Sequence, residues 1–407
     1  MSNKIGVVVW SFPNPSNTFV YNELSMLLEC GVDLHIYSIN TPELADLVFF
    51  PEFSKKFSNR VTYLMKEKLL CQVALMDNNV AFGQNSTRQL LLNKSHMPNY
   101  DVREMESVKN SSKAFPELLK RIRRDNITKL YGAFASADAD LCAYIHYNTG
   151  IPYYFACHAE DLFCSFYHAS YKAKTVTKVF CISDYNKNYL INKYNFNPDK
   201  LIVKRVNFLK CDDCNIDPHN IDYPYVYSAA RLDKRKGLDI SIHGFKILHN
   251  KYPEMHYIIT GSGPEQEHLQ SLVTDLGLGD FVHLRGHVSN VEVLQLINRC
   301  EFGVLTSIID DRGNREGIPT FFIECMSLGK PCIGTYQSGN SELIEGGVTG
   351  YLTTPRHFRD VGKKMLGLYS ELTSGQKTKF SRSVKHKIKK MFDNKENIKI
   401  MVDEFLK

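Results

Sequence analysis

Short apolar runs, each followed by a polar turn and a helical stretch, recur in two separate blocks of this chain. That alternation is its strongest constraint on fold. In the first block Ile5-Gly6-Val7-Val8-Val9-Trp10 reads as a strand, Ser11 to Asn17 as a loop, and Thr18 to Cys30 as a helix closed by Gly31. Val32 to Tyr37 makes the next strand. Runs that are apolar throughout suit strands covered on both faces, and strands alternating with helices imply a parallel α/β sheet. From Phe50 to Arg124 the pattern weakens into Lys-, Ser- and Asn-rich sequence that reads as mostly helical, with no obvious strand. It resumes with strand Lys129 to Phe134, helix Ala137 to Tyr147, strands Tyr153 to Cys157 and Val179 to Ser183, and helix Asp184 to Tyr194.

The polar, Asp-rich stretch Cys211 to Tyr223 has the composition of an inter-domain linker. Beyond it a second block places strands at Tyr225 to Ala229, His256 to Thr260, Val282 to Arg285, Phe302 to Leu305 and Cys332 to Gly334. Helices fall between them at Gly237 to Lys251, Pro264 to Leu276, Val291 to Asn298 and Pro319 to Leu328. The expected organisation is an amino-terminal Rossmann-like domain over residues 1–212, a linker over 213–223 and a second such domain over 224–385. A carboxyl-terminal helix over 386–407 would pack back on the first domain. Ligands of open parallel sheets bind outside the carboxyl ends of the strands, so two facing doubly wound sheets would hold a site in the cleft between them.

Composition excludes several classes. At 407 residues, 43% hydrophobic and 23% charged, the chain is ordinary for a globular protein of two or three domains. A formal charge of +6 fits anionic ligands or an anionic membrane surface and does not indicate nucleic acid. Eleven cysteines are scattered, several in apolar runs, and Cys211-Asp212-Asp213-Cys214 lacks the second pair of a zinc site. Buried free thiols of a reducing compartment are the expected state. No run reaches the roughly 18 apolar residues of a membrane span, and Ile5 to Trp10 is too short for a signal sequence, so the expectation is cytoplasmic.

The residues that carry chemistry follow strands. Glu316 and Glu324 stand eight apart in Arg315-Glu316-Gly317-Ile318-Pro319-Thr320-Phe321-Phe322-Ile323-Glu324. Pro319 is expected to open a helix, which leaves Glu316 in the preceding loop and Glu324 about one and a half turns in. The amides of Gly317 and Ile318 at the helix start suit phosphate oxygens, while carboxylates suit sugar hydroxyls. Arg231 and Lys236, in Ala230-Arg231-Leu232-Asp233-Lys234-Arg235-Lys236-Gly237, could clamp a diphosphate, or else form a solvated basic turn in which Lys234 and Arg235 are surface charges. Gly261-Ser262-Gly263-Pro264 would let backbone approach a ligand or merely turn tightly. His158, with Glu160 and Asp161 close behind, could meet a sugar hydroxyl or be structural. Ser16, Asn17 and Thr18 could hold phosphate or acceptor groups, and would equally cap a helix. Asp138-Ala139-Asp140 has the look of a metal-holding pair, yet its place at a helix start favours a dipole role. Phe380, Val384, Ile388 and Phe392 recur at four-residue spacing among basic residues, giving an amphipathic helix that either packs on the protein or touches anionic lipid.

Taken together these residues resemble glycosyltransferase family 4, retaining enzymes of the GT-B fold that use nucleotide-sugar donors. The resemblance is strongest from Tyr225 to Leu352, above all in Glu316 to Gly334 and Gly346-Gly347-Val348-Thr349-Gly350-Tyr351-Leu352. Glu-Gly-Ile-Pro at 316–319, Ser16-Asn17-Thr18-Phe19 and His158-Ala159-Glu160-Asp161 look like the branch that builds bacterial exopolysaccharide, capsule or O-antigen. The resemblance implies that Glu316 meets the donor sugar and Glu324 the ribose. Arg231 and Lys236 would hold the diphosphate, assisted by Gly317 and Ile318, with Gly263 also lining the donor site. His158 would lie against the sugar, and the backbone near His287 and Val288 would meet the base. The family's Gly-Gly phosphate loop is replaced here by Pro13 to Thr18.

The implied reaction is hexosyl transfer from a nucleotide sugar, such as a UDP- or GDP-sugar, to a hydroxyl of a glycan or polyprenyl-linked acceptor. It needs no metal or cofactor. In the family the acceptor attacks from the face the leaving group departs, and a phosphate oxygen takes its proton. A nucleotide-sugar epimerase on the same architecture and a non-catalytic sugar-nucleotide-binding protein are the competing readings. Peripheral contact with the cytoplasmic face of a membrane goes with the lipid-linked acceptor.

Overall fold

The computed structural model describes residues 3–64, 114–207, 221–311 and 313–407. The Cys211/Cys214 pair, most of the weakly patterned stretch after Phe50 and most of the expected linker lie outside the described residues. The chain divides into two compact units, Met1–Asn207 with Asn394–Lys407, and Phe208–Asp393.

The first unit is a seven-stranded parallel sheet of β1 (Lys4–Ser11), β2 (Asp33–Asn40), β3 (Val61–Tyr63), β4 (Lys129–Gly132), β5 (Tyr153–Cys157), β6 (Lys178–Cys181) and β7 (Leu201–Val203). Their spatial order is β3-β2-β1-β4-β5-β6-β7. Alternate residues of β1 serve opposite faces. Ile5, Val7 and Val9 pack with Leu24 and Leu27 of helix Thr18–Glu29, whereas Val8 packs with Leu141, Cys142 and Ile145 of helix Ala137–Thr149. Burial on both faces is why β1 is apolar throughout.

The first layer is completed from the far end of the chain. Ile398, Met401 and Phe405 of helix Asn394–Leu406 join the cluster under β1. Lys129 donates to the Phe405 carbonyl at 2.8 Å, and the Asn397 side chain accepts from the Arg205 amide at 3.1 Å. The stretch 386–407 is therefore not one helix: Lys377–Met391 ends, and Asn394–Leu406 starts anew.

The second unit is a six-stranded parallel sheet of β8 (Tyr225–Ala229), β9 (His256–Thr260), β10 (Val282–Leu284), β11 (Gly303–Val304), β12 (Cys332–Thr335) and β13 (Gly350–Thr353), ordered β10-β9-β8-β11-β12-β13. Three short strands escape the sequence reading: β3, β7 and β13. Each has only three or four residues at or near a sheet edge, too few for periodicity to register.

In both sheets the winding reverses beside the first strand, between β1 and β4 in one and between β8 and β11 in the other. Connections there leave in opposite directions and open a crevice at the carboxyl ends of the two strands.

Candidate active site

In the second unit the crevice is framed by the loops after β8 and β11, which hold Arg231 and Lys236 on one side and Glu316 on the other. The β8 loop is fixed from both flanks. The Leu232 amide donates to Ser262 at 2.9 Å, and a Cβ on Gly263 would stand 2.3 Å from the Leu232 carbonyl oxygen. Gly263 is thus explained by backbone packed against backbone. The loop then turns over a short 3-10 segment, Lys234–Lys236, capped by the Asp233 carboxylate, which accepts from the Arg235 amide at 3.0 Å.

Gly237 closes that turn with φ +60, where a Cβ would lie 2.2 Å from the Thr306 carbonyl oxygen. The Thr306 hydroxyl donates to the Gly237 carbonyl at 2.6 Å, and the Ile308 amide donates to that of Arg235 at 2.7 Å. Two loops belonging to different strands are thereby clamped into one rigid piece. Its product is an ion pair: Lys236 Nζ lies 2.9 Å from Glu316 Oε1, the two side chains only 16% and 15% exposed. Arg231 is exposed, and among the described residues its guanidinium has no ion pair. Arg235 is not a free surface charge, because it pairs with Asp233 at 3.2 Å.

After Glu316 the chain buries Gly317 and Ile318. Pro319 is extended, φ −61 and ψ 126, so the helix opens one residue later than expected, at Thr320, and runs to Ser327. Glu324 is its fifth residue. Burial raises the Glu324 carboxyl to about 7, and no group among the described residues bonds to it. A carboxylate so placed lacks its natural donors. Val288 is half-buried in the loop after β10, just ahead of Ser289, whose hydroxyl caps helix Asn290–Arg299.

In the first unit His158 follows β5. Asp161 fixes the backbone, accepting from the His158 amide at 3.0 Å and from the Ala135 amide at 2.8 Å. Asn186 donates to the His158 carbonyl at 2.6 Å. The ring lies between Phe19 and Phe134, centroids 4.8 and 4.9 Å away, and its Nδ1, 3.6 Å from the Asp161 carboxylate, has no hydrogen-bond partner among the described residues. Sequence reasoning missed Asn186 and Phe134. The available signal was Ser183, an N-cap that buries Asn186 at the helix start.

Asn17 occupies the N-cap of helix Thr18–Glu29 without a side-chain cap bond, so simple capping does not account for it. Ser16 lies in the 3-10 turn just before. The Asp138/Asp140 pair is structural. Asp140 lies 2.6 Å from Lys172 in a buried pair, and burial beside Asp161 drives the Asp138 carboxyl well above the usual range. The basic helix Lys377–Met391 packs Phe380, Val384 and Ile388 against the protein.

Residues 214–380 match the family model described as glycosyl transferases, group 1. WcaL of Escherichia coli, assigned to colanic acid biosynthesis, is 28% identical over 168 residues, 41% of each chain. The amylovoran biosynthesis glycosyltransferase AmsK of Erwinia amylovora is 33% identical over 127 residues, 31% of each chain. The chain thus spans between about a third and two fifths of the length of these relatives. Anabaena HepE, solved in complex with UDP, superimposes with a TM-score of 0.70 at 16% identity, over 99% of both chains.

Proposed function

We propose that this chain, a GT-B protein of the group 1 glycosyltransferases, moves a sugar from a nucleotide-diphosphate sugar to a hydroxyl of a growing or lipid-linked glycan, with retention at the anomeric carbon. The observation that carries this reading is the Lys236–Glu316 pair, held at 2.9 Å beside the helix start at Thr320.

Breaking a sugar–phosphate bond separates charge. Positive charge grows on the anomeric carbon, and negative charge passes to the departing diphosphate. A fixed carboxylate and a fixed ammonium side by side match those two charges without having to reorganise. Glu316 would face the sugar, and Lys236, helped by Arg231 and the amides of Gly317 and Ile318, would face the diphosphate. Two cations already serving the leaving group are our reason for reading the reaction as metal-independent. Glu324, short of hydrogen-bond donors, would take the ribose hydroxyls. His158, packed between Phe19 and Phe134, would offer a rigid edge to the sugar, and Ser16, Asn17 and Thr18 to the acceptor.

Relatives assigned to colanic acid and amylovoran synthesis support an exopolysaccharide acceptor, and HepE with UDP supports a nucleotide-linked donor. Among the described residues no helix is long and apolar enough to cross a membrane. We read a lipid-linked acceptor as one met at the cytoplasmic face of a membrane, with the chain in contact with that surface only peripherally.

The test is nucleoside diphosphate release, measured with and without a lipid-linked acceptor. Acceptor-dependent release is expected, falling at least about 100-fold in Lys236→Met and in Glu316→Gln while both stay folded. Full activity in either variant refutes the site. Conversion of the donor without any acceptor would instead identify an epimerase.

A further inference from the structure

The loop after β12, Thr335-Tyr336-Gln337-Ser338-Gly339-Asn340, takes no part in the site described above, yet it gathers polar atoms that folding leaves unsatisfied. Gln337 is 7% exposed, Ser338 6% and Asn340 0%. Among the described residues, both amide atoms of Gln337, the Ser338 hydroxyl and the Asn340 Oδ1 have no hydrogen-bond partner. The Ser307 hydroxyl, after β11, is likewise fully buried and has no partner among the described residues. Buried polar groups are nearly always paired, so several orphans in adjoining turns need an explanation.

The turns are tied together. The Thr335 hydroxyl donates to the Ser307 carbonyl at 2.6 Å, and the Asn340 amide nitrogen donates to the Thr335 carbonyl at 3.1 Å. Ser307 also connects this cluster to the charged pair, since its neighbours Thr306 and Ile308 bond to Gly237 and Arg235 on either side of Lys236. Ser338 is held at φ +45, a left-handed conformation that costs a serine energy and that glycine adopts freely.

We propose that Gln337, Ser338 and Ser307 bind hydroxyl groups of the transferred sugar and so help select which sugar is used. This rests on the donor reading of the Lys236–Glu316 site. The chemistry selects the ligand. The orphans include acceptors as well as donors, and none is a cation. Phosphate only accepts, and would leave the carbonyl oxygens of Gln337 and Asn340 unpaired. A sugar hydroxyl both donates and accepts, and satisfies the set.

Two variants separate this from a purely structural role. Ser338→Gly removes one hydroxyl and relieves the backbone. Gln337→Met removes two orphan atoms at nearly constant shape, and both should melt no lower than wild type without ligand. Binding would be measured by calorimetry for UDP and GDP, and for a panel of their sugar conjugates. The expected result is unchanged affinity for the bare nucleotide, affinity for the preferred nucleotide sugar reduced about tenfold in each variant, and a narrower gap between preferred and rejected sugars. If nucleotide sugar binds both variants as it binds wild type, the groups hold only buried water and the proposal is overturned. Equal loss for nucleotide and nucleotide sugar also overturns it. If wild type binds neither nucleotide nor nucleotide sugar, the donor reading itself falls, and the assignment with it.

Discussion

Glu324 offers a prediction whose sign and size both follow from the structure. Its carboxyl is raised from an ordinary value of 4.5 to about 7, because burial on helix Thr320–Ser327 strips water from the ionised form and no neighbour among the described residues compensates. A carboxyl that holds its proton more tightly when folded costs nothing while it is protonated in both states. The penalty therefore vanishes below about pH 4.5, grows as pH rises, and is complete above about pH 7. The difference between these two values corresponds to about 3.4 kcal/mol, and the partial exposure of the residue reduces that to roughly 1–3 kcal/mol. Replacing Glu324 by Gln keeps the shape and removes the ionisation. The melting temperature of Glu324→Gln should match that of wild type at about pH 4 and exceed it by roughly 3–9 °C at about pH 8.5, at some 2–4 °C per kcal/mol for a unit of this size. Scanning calorimetry of the ligand-free proteins at both pH values checks it. An offset that stays constant across the range would show that desolvation does not perturb Glu324.

Two further perturbations probe the frame around the site. Gly237→Ala drives a methyl group to within 2.2 Å of the Thr306 carbonyl oxygen at a positive φ, so it should lower stability by about 3 kcal/mol and uncouple Lys236 from Glu316. Equilibrium denaturation together with the transfer assay would register both losses. Asp161→Asn keeps the shape but weakens the charge-assisted bonds to the His158 and Ala135 amides. It should reduce kcat about tenfold with KM for the nucleotide sugar little changed, as expected of a residue that positions His158, and steady-state kinetics decides it.

The fold was legible because burial on both faces forces continuous apolar strands, and β8 and β9 fall where their sequence places them. Glu316, Lys236, Arg231 and His158 were legible one by one, since each follows a strand. What stayed hidden was partnership. Nothing in the spacing of Lys236 and Glu316, eighty residues apart, says that they touch, because their contact is made by the bonds that Gly237 and Arg235 form with Thr306 and Ile308. Gly263 was ambiguous for the opposite reason. A glycine pressed against the backbone of Leu232 and one opened toward a ligand have the same sequence. The orphaned atoms of Gln337 and Ser338 carry no sequence signature, because an unpaired polar group is a property of the packed chain alone.

The two sheets share a winding scheme but not a chemistry, and the difference suits them to different ligands. At the reversal of the second sheet the clamped loops present a cation and a carboxylate, and the helix that follows carries an acid with no bonded partner among the described residues. Rigid opposed charges suit a reaction in which charge separates, and they suit a ligand that brings its own phosphate charge. At the corresponding strand ends of the first sheet the chain sets a histidine between two phenylalanines, held by backbone bonds to Asp161 and Asn186. A stiff, weakly polar surface of that kind has little to offer a diphosphate and much to offer the faces and hydroxyls of a sugar. On the proposed function, the charged crevice would take the nucleoside diphosphate and the aromatic one would meet the faces and hydroxyls of a sugar.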